Sequence, residues 1–157
     1  MWLGTNSGLK VYDGYTVKTY KSDAFSPGIL PNNQIRCIAE DHHNCLWIGT
    51  CNGLVKMDKK TRKFHTYYLP QDNQRIIYTI YCSHDGTIWI GTDGGLSYYI
   101  PRINQFYTYN YKNTFLVQAG RKKIKITNYS VKSIAEDGKG NLFLGTWRHG
   151  LIRFRPG

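Results

Sequence analysis

The chain has 157 residues, 41% of them hydrophobic and 15% aromatic, which is enough apolar content for one packed domain and excludes a disordered segment. Its formal net charge of +11 predicts attraction to polyanions such as nucleic acid, anionic membrane or acidic glycan, with a basic surface kept only for solubility as the plainer reading. No apolar run approaches the ~18 residues of a membrane helix, and no signal peptide is visible at the N-terminus.

The chain opens on Trp2-Leu3-Gly4-Thr5-Asn6-Ser7-Gly8-Leu9, and this pattern returns three times. The further copies are Trp47-Ile48-Gly49-Thr50-Cys51-Asn52-Gly53-Leu54, Trp89-Ile90-Gly91-Thr92-Asp93-Gly94-Gly95-Leu96 and Phe143-Leu144-Gly145-Thr146-Trp147-Arg148-His149-Gly150-Leu151. The last has Phe for Trp and one extra residue before its Gly-Leu. The Gly-Thr pairs at Gly4, Gly49, Gly91 and Gly145 are spaced by 45, 42 and 54 residues, a period that points to a propeller, solenoid or array. Because the chain starts inside a copy of the motif, the sequence is expected to be cut from something longer, with Met1 an added start.

Aligned on these copies, each unit reads as four short strands. The first is Ile-x-x-Ile-like, at Ile35-Arg36-Cys37-Ile38, Ile77-Tyr78-Thr79-Ile80 and Val131-Lys132-Ser133-Ile134. The second is the Trp-Ile-Gly-Thr stretch, the third starts at Gly-Leu, and the fourth is Val17-Lys18-Thr19-Tyr20, Phe64-His65-Thr66-Tyr67 and Phe106-Tyr107-Thr108-Tyr109. Thirteen Tyr, four Trp, six Phe and sixteen Gly make a strand-and-turn composition, and the short apolar runs broken by Gly, Asn and Asp argue against helices. Glycine last in the three-residue loops before the third strand supplies a left-handed conformation. The strand-interior Gly4, Gly49, Gly91 and Gly145 are expected to admit the neighbouring Trp2, Trp47, Trp89 and Phe143, which serve as core wedges between sheets.

Four-stranded antiparallel units of this length are propeller blades. The expected fold is all-β, a single partial β-propeller over 1–157 with blade units at about 1–24, 25–69, 70–111 and 128–157 and an insertion at 112–127. Its fourteen strands make about three and a half blades, short of the roughly four to eight of a closed ring. The insertion is either an extra hairpin or a protruding loop.

The stretch Leu30-Pro31-Asn32-Asn33-Gln34-Ile35-Arg36-Cys37-Ile38-Ala39-Glu40-Asp41, followed by Leu46-Trp47-Ile48-Gly49-Thr50 and Gly53-Leu54, resembles the two-component regulator propeller repeat. The resemblance implies the periplasmic sensor region of an inner-membrane-anchored hybrid two-component histidine kinase of Bacteroides-type bacteria. In that family many repeats precede a β-domain, a membrane helix and cytoplasmic kinase, receiver and DNA-binding parts. Its ligands are commonly oligosaccharides released from glycans, and its output is transcription of glycan-use genes.

Candidate chemistry is sparse. Cys37, His42, His43, Cys45 and Cys51 have metal-ligand residue types, but their spacing matches no zinc pattern and a turn reading is preferred. A Cys45–Cys51 disulfide is awkward geometry. No nucleophile elbow or phosphate loop is present, so no catalytic residue, metal or cofactor is assigned and the chain reads as non-enzymatic. Two features remain as candidate ligand-binding sites. Between Asp93 and Glu136 no acidic residue occurs, and the basic residues Arg102, Lys112, Arg121, Lys122, Lys123, Lys125 and Lys132 are interleaved with Tyr107, Tyr109, Tyr111, Phe115 and Tyr129, which suits an acidic oligosaccharide, or else is a solvated loop. The enlarged hairpin Trp147, Arg148, His149 is either a binding pair of aromatic and cation or packing between blades. The expected partner is an oligosaccharide, with an anionic one favoured by charge. A second class of partner is other blades, from the parent chain or a second copy, since two copies supply 28 strands, seven blades' worth. Nucleic acid ranks last, on charge alone.

Overall fold

The computed structural model describes residues 1–23, 25, 29–69, 74–109, 116–119, 122–125 and 129–156, with the backbone alone at 116–119, 122–125 and 154. All sixteen described strands are antiparallel, and no α-helix occurs among the described residues. The residues divide into two compact units, Met1–Ile77 and Tyr78–Gly157.

In the first unit, β1 (Trp2–Thr5), β2 (Gly8–Tyr12) and β3 (Val17–Tyr20) form one sheet in chain order. A second sheet follows as β4 (Ile35–Glu40), β5 (Cys45–Thr50), β6 (Gly53–Asp58) and β7 (Phe64–Tyr67). The next sheet holds β8 (Ile77–Cys82), β9 (Ile88–Thr92), β10 (Gly95–Ile100) and β11 (Gln105–Thr108), with a 3-10 turn at Pro101–Ile103. The last contains β12 (Leu116–Ala119), β13 (Lys122–Lys125), β14 (Val131–Glu136), β15 (Leu142–Thr146) and β16 (Gly150–Phe154), in the order β13-β12-β16-β15-β14.

The fourteen repeat strands are therefore joined by two more from the insertion. The backbone of Gln118 pairs with Arg153, so β12 lies beside β16 where β7 lies beside β6 and β11 beside β10. The insertion takes the fourth-strand position of its sheet, one of the two alternatives the sequence left open.

The Gly-Thr dipeptide has two separate jobs. Thr50 Oγ1 accepts the Asn52 N–H at 3.0 Å and donates to Gly53 O at 2.8 Å, while Gly53 takes φ 122°. Thr92 repeats both bonds with Gly94 and Gly95. Each threonine thus ties its own hairpin with a side-chain version of the turn bond. The glycine before it does something else. A Cβ on Gly49 would lie 2.7 Å from Ile77 Cγ2 and against Cys37 Sγ, and one on Gly91 would lie 2.7 Å from Val131 O and 2.9 Å from Val131 Cγ1. The expectation that the neighbouring aromatic closes on the glycine is corrected: the visitors are the first strand of its own sheet and the first residue of the next one.

The second strands β5 and β9 are buried along their whole length, as strands covered on both faces are. In the first unit Leu9, Tyr20, Leu30, Ile35, Leu46, Ile48, Val55 and Met57 form a core against which Trp2 packs in part. In the second, Trp89, Leu96, Tyr109, Val131, Leu142, Leu144 and Ile152 do so. Trp47 and Trp89 are buried, and Trp2 and Phe143 are only half-buried. Trp2 lies on an edge strand, because its sheet has no strand before β1. Phe143 shares a face with Gly145, Ala135 and Arg153, opposite the buried Leu142 and Leu144, and stands outside the core cluster.

The turns between first and second strands are pinned by carboxylates. Asp41 Oδ2 accepts the buried Trp47 Nε1–H at 2.8 Å, while its Oδ1 accepts the His43 and Cys45 N–H groups. The Phe143 ring has no N–H to offer, and Asp137 instead accepts Asn141 Nδ2–H at 2.7 Å. His42 and His43 thus sit in an ordinary Asx-type turn. Cys45 and Cys51 flank β5 at opposite ends, and all four cysteines are free thiols.

A Gly49→Ala substitution should lower stability by about 1–3 kcal/mol by overpacking against Ile77 and Cys37. Gly138→Ala meets nothing within 4 Å and should change stability by no more than about 0.5 kcal/mol. Urea denaturation of the two variants checks this, and equal midpoints would remove the close approach as a constraint.

Candidate functional site

The residues that depart from the repeat pattern gather at one end of the second unit. Three residues, Trp147 to His149, join β15 to β16, one more than the pattern allows. Thr146 Oγ1 still donates to Gly150 O at 2.9 Å, so the loop is closed as in the other copies. The extra length is absorbed by Arg148, which adopts φ 79°, unusual for a residue with a side chain. Trp147 N–H donates to Ser130 O at 2.9 Å, and the indole is left 63% exposed. The His149 ring lies against Tyr129 with centroids 3.7 Å apart.

Lys132, in β14, supports this loop from below. Its Nζ lies 2.9 Å from the centroid of the Tyr78 ring and 5.8 Å from that of Trp147. Asp93 Oδ1 is 3.6 Å from the same ammonium and accepts the Ser130 hydroxyl at 3.0 Å. The group therefore combines an exposed indole, a Tyr–His pair, an ammonium held on an aromatic face and one carboxylate. Such a surface stacks on flat apolar faces and hydrogen-bonds the polar edge of the same ligand.

Of the residues singled out in sequence, Trp147, Arg148, His149, Tyr129 and Lys132 belong to this group directly. Arg121 lies outside the described residues. Lys122, Lys123 and Lys125 lie on β13, the outer edge of the same sheet, two strands out from β16. Tyr78, Asp93 and Ser130 were not singled out. Tyr78 and Lys132 occupy the repeat position of Arg36, whose Nε donates to Cys51 Sγ at 3.1 Å in the corresponding hairpin of the first unit. Variation at that one position was the signal available.

A second feature, at the opposite end of these strands, is an open cleft of about 580 Å³ lined by Ser83, His84, Trp89, Glu136, Lys139 and Arg155, among others. Glu136 Oε1 accepts the Ser83 hydroxyl at 2.7 Å, and its Oε2 lies 2.9 Å from His84 Nδ1 and accepts the His84 N–H. Ser83 stands where the other units have Asp41 and Asp137, so Glu136 supplies the carboxylate that this turn lacks. The serine hydroxyl donates to the carboxylate rather than to the imidazole, which is not the serine-to-histidine arrangement of a nucleophilic triad. Burial works against ionisation of Glu136, but the bonds from Ser83 and His84 outweigh it and hold the carboxyl below the ordinary glutamate value. A lowered pKa in the folded state means that the unfolded chain takes up the proton first as the pH falls. This part of the stability is complete above the ordinary glutamate pKa of about 4.3 and is lost below it. Urea midpoints measured from pH 6 to pH 3 should therefore fall less steeply for Glu136→Gln than for the unsubstituted chain. Identical slopes would mean that Glu136 does not pin the turn.

Comparison with known proteins bears on the repeat and the fold. The sequence model of the two component regulator propeller matches residues 29–52, 71–94 and 125–148, each spanning a first strand, its turn and a Gly-Thr strand. These segments are two component regulator propeller repeats. The copy at Trp2 lies outside the matched segments. Two solved structures of the extracellular domain of BT4673 from B. thetaiotaomicron, described as a hybrid two component system in one and a one component system in the other, are 28% and 30% identical to this chain. Each superposes with a TM-score of 0.75 over 99% of this chain and 19% of its own length. The chain thus spans about a fifth of the solved domains it matches, and the sheets described above are propeller blades. Virginiamycin B lyase from Staphylococcus aureus, 15% identical with a TM-score of 0.63 over 96% of this chain and 49% of its own, shares the fold alone. No curated protein sequence matches the chain. No helix among the described residues is long and apolar enough to cross a membrane.

Proposed function

We propose that this chain is a non-enzymatic sensor segment of a periplasmic two-component signalling protein, that it recognises oligosaccharides released from glycans, and that the binding signal passes to a histidine kinase elsewhere in the parent protein. The observation that carries the reading is the exposed Trp147 beside Tyr129, His149 and Lys132, on a hairpin fixed by Thr146. A rigid scaffold with one altered loop is where binding residues concentrate. Similarity to the extracellular domains of a B. thetaiotaomicron signalling protein supports the placement. Binding transmits a signal by favouring one of two arrangements of the parent protein, which requires different affinity for the two.

Isothermal titration with a panel of plant- and host-glycan oligosaccharides tests the site. Trp147→Ala should weaken binding by about tenfold or more, the cost of losing a stacking face. Because the indole is exposed, the thermal midpoint should stay within a few degrees of the unsubstituted value. Binding that survives Trp147→Ala unchanged would place the ligand elsewhere.

A second reading is an interaction module that completes its propeller with other blades. In the second unit Leu151 is 66% exposed beside the half-buried Phe143, and in the first Leu3, Tyr12 and Val17 are exposed on the outer face of β1 to β3. Uncovered apolar sheet faces favour association. Sedimentation separates the readings, because self-association makes the mass depend on concentration.

A further inference from the structure

The Trp147 loop carries an inference about which oligosaccharides fit, and it rests on the reading that this loop is the ligand site. We infer that Lys132, through its ammonium, is the specificity-determining residue of the site and selects sugars that carry an anionic group, a carboxylate or a sulfate.

The ammonium is incompletely used. Lys132 Nζ faces the Tyr78 ring at 2.9 Å and lies 3.6 Å from Asp93 Oδ1, beyond hydrogen-bond distance. Asp93 Oδ1 is already engaged by the Ser130 hydroxyl at 3.0 Å. The Lys132 side chain is only 31% exposed. A half-buried ammonium with three donors, no acceptor within hydrogen-bond distance among the described residues and an aromatic face beneath it is held in place and open to an incoming oxyanion.

Position joins the charge to the aromatic surface. Nζ is 5.8 Å from the Trp147 ring centroid, so an anion bonded to Lys132 sits beside the indole and the sugar bearing it contacts the ring. A neutral sugar gains the contact with Trp147 but leaves the ammonium as it was. Asp93, weakly paired with Lys132, disfavours a second anion close by, which suits one charge per sugar rather than a densely charged polymer. The exposed Arg148 offers a further cation at the rim. The same lysine position holds Arg36 in the first unit, but there the guanidinium is turned onto Cys51 Sγ in a hairpin with no added aromatic.

The experiment is a titration of the full chain with tetragalacturonate, a sulfated heparin-derived tetrasaccharide and a neutral galactotetraose, repeated for Lys132→Met, Lys132→Arg and Trp147→Ala. For at least one of the two acidic probes, Lys132→Met should weaken binding by about tenfold, the worth of one charge-assisted hydrogen bond, and Lys132→Arg should restore most of it. Binding of the neutral probe, weaker from the start, should be unchanged by Lys132→Met. The carboxylate and sulfate probes show which oxyanion the site prefers. Equal loss for acidic and neutral probes, or none for either, would overturn the inference about Lys132 while leaving the Trp147 site standing. Binding insensitive to Trp147→Ala would overturn the site and this inference together, as would binding of duplex DNA that competes with the acidic probes.

Discussion

The architecture depends on one contact, the entry of a neighbouring side chain into the space left by a strand-interior glycine. At Gly49 the visitors are Ile77 and Cys37, and at Gly91 they are Thr79 and Val131. No residue with a Cβ fits there without displacing backbone or branched side chains. The glycine weakens its own strand, and the loss is offset by seating the first residue of the following sheet. The Gly-Thr dipeptide therefore couples two scales: threonine closes the hairpin locally, while glycine sets where the next sheet begins. At Gly145 the nearest atoms among the described residues all belong to Ser133 of the same sheet, and there the flanking aromatic, Phe143, is only half-buried.

Once repetition fixes the scaffold, the positions left free can take on other work. Trp147 to His149 add an aromatic and two basic side chains to a hairpin whose closing bond is unchanged. Lys132 stands at a position that is Arg36 in the first unit and Tyr78 in the preceding sheet. None of these side chains carries the core, so a site can change in such loops without unmaking the blade. Glu136 shows the same freedom put to structural use. It aligns with Glu40, which is 46% exposed and pairs with Lys59, yet its own side chain is 8% exposed and serves a turn that lost its aspartate.

Much of the fold was legible in the sequence because the pattern repeats. Four aligned copies separate strand residues from turn residues, and the fourteen repeat strands lie where alternation and glycine placed them. What one unit could not reveal was contact between units. The visitors to Gly49 and Gly91 are Cys37 and Thr79 from the first strand of the same sheet and Ile77 and Val131 from the next copy of the repeat, so the adjacent aromatic was the wrong choice. The place of the insertion beside β16 was equally invisible, since strand pairing at such separation leaves no periodic mark. At the candidate site, the extra residue before Gly150 made the loop stand out. Tyr78, Asp93 and Ser130 did not, because each is unremarkable in its own segment and gains its role only from proximity to Lys132.

The central claim is that repeated residues build the blades and the ligand meets the chain where the last copy departs from them. Amide and indole N–H shifts recorded by nuclear magnetic resonance during titration with tetragalacturonate test it most directly. The account predicts perturbations confined to Tyr78, Asp93, Tyr129 to Lys132 and Trp147 to His149, with the Trp147 indole moving and the buried Trp47 and Trp89 indoles still. Perturbations centred on Ser83, His84 and Glu136, with Trp147 unaffected, would contradict it.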